Sequence, residues 1–149
     1  MTEKIVKSWT KLIGTSGYDY ASDLEISTDN YIYVTGRTDG NLDTQFNNGY
    51  DDAFINKLDS NGNIIWSKLI GSNQWEDAPD IEIDQDGYLY ITGSRGVPEK
   101  HQDYDAYLSK IDADGNELWT QLIGSSDKET ATNLAISRDG FIYITGNTY

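Results

Sequence analysis

Two loops of this chain set aromatic rings beside carboxylates, Tyr18-Asp19-Tyr20 and Trp75-Glu76-Asp77, and the third place in the same pattern holds Lys128-Glu129. A ring face offers stacking and a carboxylate offers hydrogen-bond acceptors, which together is the chemistry of holding a sugar. Tyr18, Asp19, Trp75 and Glu76 are the candidate ligand-binding residues on that reading. The same composition serves ordinary loops that pack over a neighbour, and Lys128 in the third copy weighs against a repeated sugar site.

Two further acidic patterns stand out. The stretches DSNGN (59–63) and DADGN (112–116) place Asp59, Asn61, Asp112 and Asp114 at the alternating positions with which a calcium loop begins. Such a loop needs a carboxylate about twelve positions on, and there the chain has Ile70 and Ile123. A hairpin turn is the preferred reading, and no metal is expected. Asp23, Glu25, Asp80 and Glu82 recur at matching places and could line a channel and gather cations; solvation, or hydrogen bonding to nearby backbone, is the commoner fate of such residues. His101 is the single histidine, beside Glu99 and Asp103 in a variable loop, and reads as a surface residue. No Ser-His-Asp arrangement can be assembled, and no cofactor signature is present. The expectation is a protein without catalytic residues.

The elements that must position these residues repeat. WTKLIG at Trp9 returns as WSKLIG at Trp66 and WTQLIG at Trp119. With Gly14, Gly71 and Gly124 superposed, the offsets are 57 and 53, and YASDLEISTDNYIYVTG (20–36) lies over DAPDIEIDQDGYLYITG (77–93) and TATNLAISRDGFIYITG (130–146). DAFINKLDSNGNIIWSKLIG (52–71) lies over DAYLSKIDADGNELWTQLIG (105–124). The repeat units are 14–70, 71–123 and a partial 124–149, with 4–13 as the last strand of a preceding or shared unit; the whole is one domain's length. Each full unit holds four β-rich runs joined by polar turns. Asp86-Gly87 and Asp139-Gly140 read as hairpin turns of the primed kind, in which Gly accepts φ > 0. Four antiparallel strands per unit of this length predict β-propeller blades, and no helical period competes. Aliphatic and aromatic residues on both parities of the middle strands predict sheets covered on both faces, with Trp9, Trp66 and Trp119 as structural wedges between blades.

The residues just quoted resemble the bacterial β-propeller repeats called SBBP, whose units read D-A-F, then a Lys three residues after the Phe, then D-x-x-G, and later Y-V/I-T-G. The likeness extends along nearly the whole chain. It implies the blade architecture and occurrence in secreted or cell-surface bacterial proteins, and it implies no shared active-site residues.

Composition narrows the partners. A formal net charge of −14, from 25 acidic and 11 basic residues spread along the chain, repels phosphate backbones and anionic lipid, so neither nucleic acid nor membrane is an expected partner. Cysteine is absent, which excludes disulfides and thiolate metal sites. No run approaches the ~18 apolar residues of a membrane span, and MTEKIVKSW has no signal-peptide pattern.

Counted by strands, the sequence provides about 2.75 units, eleven strands in all, against the roughly four to eight blades of a closed propeller. Half a dozen bare apolar side chains at ~1.5–3 kcal/mol each would cost roughly 10 kcal/mol, comparable with a domain's whole stability. The expectation is a homo-oligomer, preferably a dimer, in which the N-terminal strand of one copy joins the C-terminal strands of another; the alternative is a segment of a longer parent. Function is expected to be that of a non-enzymatic scaffold that binds protein, or else of a lectin-like module binding glycan through the aromatic and acidic loops.

Overall fold

The computed structural model describes residues 9–96, 104–125 and 127–149, and every regular element among them is a strand. β1 (Asp19–Ile26), β2 (Ile32–Thr38), β3 (Asp52–Leu58) and β4 (Ile64–Ile70) make a four-stranded antiparallel meander. The second sheet repeats it: β5 (Trp75–Glu76) and β6 (Asp80–Ile83) both pair with β7 (Leu89–Gly96), followed by β8 (Tyr104–Ile111) and β9 (Glu117–Ile123). β10 (Glu129–Ile136) and β11 (Ile142–Thr148) form an antiparallel hairpin. The first strands of successive units, β1, β6 and β10, lie beside one another, so the sheets stack face to face as blades do.

Strand one is bent in every unit. The register slips between Ala21 and Asp23 in β1 and between Ala131 and Asn133 in β10. The residue skipped is Ser22 or Thr132, and the matching residue of the second unit is Pro79. Lacking an N–H, Pro79 cannot sit in a regular ladder and is tolerated at a bulge; there it divides the strand into β5 and β6. The bend presses the strand-one carbonyls of Tyr20, Asp77 and Thr130 onto Gly36, Gly93 and Gly146, where any Cβ would collide with them. The glycine of each Y-V/I-T-G motif is therefore demanded by the neighbouring strand.

The turns differ from the sequence expectation in one respect. Each turn between strands one and two has a single residue of positive φ, Asn30 (φ 64), Gly87 (φ 83) or Gly140 (φ 83), whereas a primed two-residue turn of the Asp-Gly kind needs two such residues. The connection is longer: Asp84 N–H donates to the Tyr88 carbonyl, and the Asp84 carboxylate accepts the N–H groups of Asp86 (3.0 Å) and Tyr88 (2.9 Å). This side-chain bracing lets a wider loop reverse the chain.

Two apolar layers hold the blades together. Tyr33, Ala53 and Ile55 of the first sheet meet Ile81, Leu89, Ile91, Tyr107 and Ile111 of the second, with Trp66 and Ile70 at the margin. Tyr90 and Leu108 of the second sheet meet Leu134 of the hairpin, with Ile136, Ile142 and Ile144 around them. Both faces of the second sheet are thus buried, as the two-parity pattern of its middle strands requires.

Of the segment 4–13, expected as the last strand of a preceding or shared unit, the structure describes residues 9–13, which run beside the first blade without joining any sheet of this chain. A fourth strand pairs with strand three of its own blade, as β4 pairs with β3, and the first blade already supplies that edge to β4. Trp9 is exposed, yet it touches the first blade. Its indole N–H donates to the Ser60 carbonyl at 3.0 Å, just as the Trp66 indole donates to the Ala113 carbonyl at 3.2 Å one unit later.

Candidate functional site

The loops that enter strand one gather at one end of the blades, with the connection from β2 to β3. Arg37 at the end of β2 organises this end. Its guanidinium pairs with Asp51 at 2.5 Å and lies 4.6 Å from the ring centre of Tyr20 and 5.6 Å from that of Trp75. The Trp75 indole N–H donates to the same Asp51 carboxylate at 3.1 Å, and the Trp75 ring meets Tyr104 edge-on at 5.5 Å. Lys128 then lies 4.9 Å from Tyr104 and 4.9 Å from Tyr149. The result is a belt of alternating rings and cations, Tyr20, Arg37, Trp75, Tyr104, Lys128 and Tyr149, that crosses all three units.

Between the second sheet and the hairpin the belt borders a cavity of about 330 Å³, lined by Trp75, Asp77, Pro79, Ser94, Tyr104, Lys128 and the threonines Thr130 and Thr132. Burial pushes the Asp77 carboxyl up to about 6, against the lowering pull of the Ser94 N–H that it accepts at 2.7 Å. The cavity therefore presents ring edges, one ammonium, hydroxyls and a carboxyl that is easily protonated.

The four candidate ligand-binding residues part company here. Tyr18 is exposed and Trp75 half-buried within the belt. Asp19 and Glu76 instead staple their own loops. Asp19 accepts the N–H (2.8 Å) and hydroxyl (3.0 Å) of Thr15; Glu76 accepts the N–H (3.2 Å) and hydroxyl (2.5 Å) of Ser72; Glu129 does the same with Ser125. Glu76 is fully buried and also lies 3.1 Å from Arg95, so it is withdrawn from any external ligand. Asp19 and Glu76, expected as sugar acceptors, thus serve as clamps of their own loops in this structure.

Asp23, Glu25, Asp80 and Glu82 do come together, on the adjoining first strands β1 and β6. Burial, then the hydrogen-bonded neighbour Asp23, pushes the Asp80 carboxyl up to about 6. Burial, then the charges of Glu25 and Asp23, raises Glu82 as well. The aspartates link blades: Asp23 accepts the Ile81 N–H at 3.2 Å, and Asp80 accepts the Leu134 N–H at 2.6 Å and the Asn133 amide at 2.5 Å. Asp23, Asp80 and Asn133 occupy one repeat position, so each link advances the same contact by one unit.

The DSNGN and DADGN turns consume their own acceptors. Asp59 takes the N–H groups of Asn61 and Asn63 on one oxygen and the Asn63 amide on the other; Asp112 does likewise with Asp114 and Asn116. These bonds, that of the Asn side chain first, hold both carboxyls below their ordinary value. Gly62 and Gly115, each at φ 82, complete the turns. Among the described residues no three acidic or histidine side chains are grouped to hold a metal ion. His101, Glu99 and Asp103 lie outside the described residues.

Trp66 is wedged between the first two sheets, 6.0 Å from Tyr33; Trp119 repeats this contact with Tyr90 at 6.1 Å but is more exposed. Sequence reading missed Arg37 and Tyr104. The signal was present at Arg37, which stands where the other units have Ser94 and Asn147 and so breaks the repeat.

Antiparallel sheets stacked face to face and written by one repeated sequence are the arrangement of β-propeller repeats. The model of the SBBP beta-propeller repeat matches residues 8–43 and 118–149. The chain is also 27% identical over 127 residues to the regulatory protein FlaEY of Caulobacter vibrioides, an alignment covering 77% of this chain and 13% of that protein. The chain thus spans a small part of the relative's length.

Proposed function

We propose that the chain is a non-enzymatic β-propeller scaffold that associates with a second copy of itself and offers the aromatic and cationic belt to a protein partner. The observation that carries self-association is a contrast among equivalent residues. Tyr33 and Tyr90 are 2% and 7% exposed where the next blade covers them, while Tyr143, their counterpart in the hairpin, is 60% exposed. On the opposite face Ile81 and Leu134 are 1% and 2% exposed, while their counterpart Leu24 is 53% exposed. Apolar surface of this kind gains free energy in proportion to the area withdrawn from water.

The belt supports the protein-binding part, because Trp, Tyr and Arg are the residues enriched at the energetic centres of protein interfaces. That the relative from Caulobacter vibrioides is named a regulatory protein accords with a role exercised through binding. Light scattering coupled to size exclusion tests self-association: a mass above the 16.7 kDa of one chain is expected, and a single-chain mass at every concentration overturns it.

A second reading, carbohydrate binding, is favoured by the cavity beside Trp75 and Tyr104. A glycan array decides it: sugar-dependent binding that disappears in Trp75→Ala would replace the protein-partner reading, and a blank array would remove the lectin.

A further inference from the structure

We infer that association is head to tail, with the open face of the β10–β11 hairpin of one copy seated on the open face of the first blade of another. The inference rests on the self-association proposed above and adds its polarity and its contacts. Within the chain the same joint is made twice in the same direction. At the first, Tyr33 and Ile81 share one buried layer and the Asp23 carboxylate accepts the Ile81 N–H at 3.2 Å. At the second, Tyr90 and Leu134 share a layer and the Asp80 carboxylate accepts the Leu134 N–H at 2.6 Å. Advancing each partner by one unit gives Tyr143 and Asn133 on the hairpin and Leu24 on the first blade.

All three are exposed. Leu24 stands opposite Val34 as Ile81 stands opposite Ile91 and Leu134 opposite Ile144, so its N–H has the same outward setting as the two that are bonded across joints. Asn133 spends its amide nitrogen on Asp80, and its amide oxygen is an acceptor of the kind the joint requires. An amide here also spares the third joint another carboxylate beside Asp23 of the second copy. The receiving face is shaped for insertion: a cavity of about 400 Å³ lies between residues 9–13 and the first blade, lined by Leu24, Val34, Phe54 and Leu58 among others. Those four match Ile81, Ile91, Tyr107 and Ile111, which are buried in the first joint; Phe54 and Leu58 are already covered within the single chain, so Leu24 and Val34 are the side chains the joint would bury. Joining like face to like face would set Leu24 against Leu24 and leave its N–H without an acceptor. A heterologous joint is also the one that can go on to close under rotation.

Complementary variants test the polarity. Leu24→Glu spoils the receiving face and Tyr143→Glu the inserting one; both positions are exposed in the single chain, and circular dichroism verifies that each variant keeps its sheet content. Each variant alone is expected at 16.7 kDa by light scattering, and an equimolar mixture at twice that mass, because the intact hairpin of the Leu24→Glu chain still fits the intact first blade of the Tyr143→Glu chain. A mixture that stays at one chain's mass, while the unaltered protein associates, overturns the head-to-tail joint and leaves self-association standing. An unaltered protein that remains a single chain overturns both.

Discussion

Asp80 accepts the backbone N–H of Leu134 at 2.6 Å, joining strands 54 residues apart that share no ladder. A carboxyl withdrawn from water to make this bond, with Asp23 beside it, is pushed up to about 6. Asp52 and Asp77 are raised to about 6 as well, burial being the leading cause in each. A carboxyl raised in the folded state binds more protons there than in the unfolded chain, so its contribution is fully present below the ordinary value of 3.8 and is lost as pH rises through about 6. Stability is therefore expected to fall across that interval with rising pH. Asp80→Asn, which keeps an acceptor without the charge, should give a shallower fall and a higher melting temperature above that interval. Thermal melts in a buffer series measure both, and an unchanged slope would mean that Asp80 is ionised throughout.

Gly93→Ala tests the bend in strand one. A methyl group there meets the Asp77 carbonyl, so either the bulge at Pro79 flattens or the two strands separate. Overpacking of this sort costs about 1–3 kcal/mol. Urea denaturation should show a lower midpoint and an unfolding free energy reduced by that amount, and a neutral substitution would show that the bend is soft.

The two tryptophans of strand four should differ despite their identical sequence setting. Trp66 donates to the Ala113 carbonyl of the next sheet and is covered by it, whereas Trp119 keeps its contact with Tyr90 and no such carbonyl accepts from it among the described residues. Trp66→Ala is expected to cost about 3 kcal/mol and Trp119→Ala about 1 kcal/mol, the first removing a wedge and the second mainly an aromatic pair. Equal losses would refute the asymmetry.

What could be read in the sequence was what is local. Strands, their order and the Asp59 and Asp112 turns follow from alternation and turn residues within a few positions, and the repeat supplied the rest of each blade. Pro79 was a readable sign of the bulge, since it stands where the other units carry Ser22 and Thr132. The partners of the polar groups were not readable: whether Glu76 faces a ligand or Ser72 depends on how the loop folds back, and although Asp23 and Asp80 recur at one repeat position, nothing local says that Asp23 meets the Ile81 N–H 58 residues away. Residues 9–13 show the converse, a segment written like a strand whose pairing edge is elsewhere.

Lys57 carries a last test of how blades are coupled. Its ammonium lies 4.3 Å from the ring centre of Tyr31 and 5.4 Å from that of Tyr33, and it donates to the Ala113 carbonyl of the following sheet at 2.9 Å. Lys110 repeats the stacking, 3.9 Å from Tyr88 and 5.1 Å from Tyr90, which accounts for the lysine that both units carry at this point of strand three. Met at position 57 would preserve the apolar stem and fill similar space while removing the charge. A cation over rings contributes about 0.5–2 kcal/mol and a hydrogen bond from a charged donor about 1.5–3 kcal/mol, offset by the cost of withdrawing the ammonium from water. The balance predicts that Lys57→Met lowers the unfolding free energy by about 1–2 kcal/mol, with little rescue by added salt because the group is nearly buried. If the methionine protein is instead the more stable, desolvation outweighs both attractions, and the apolar layer alone couples the first blade to the second.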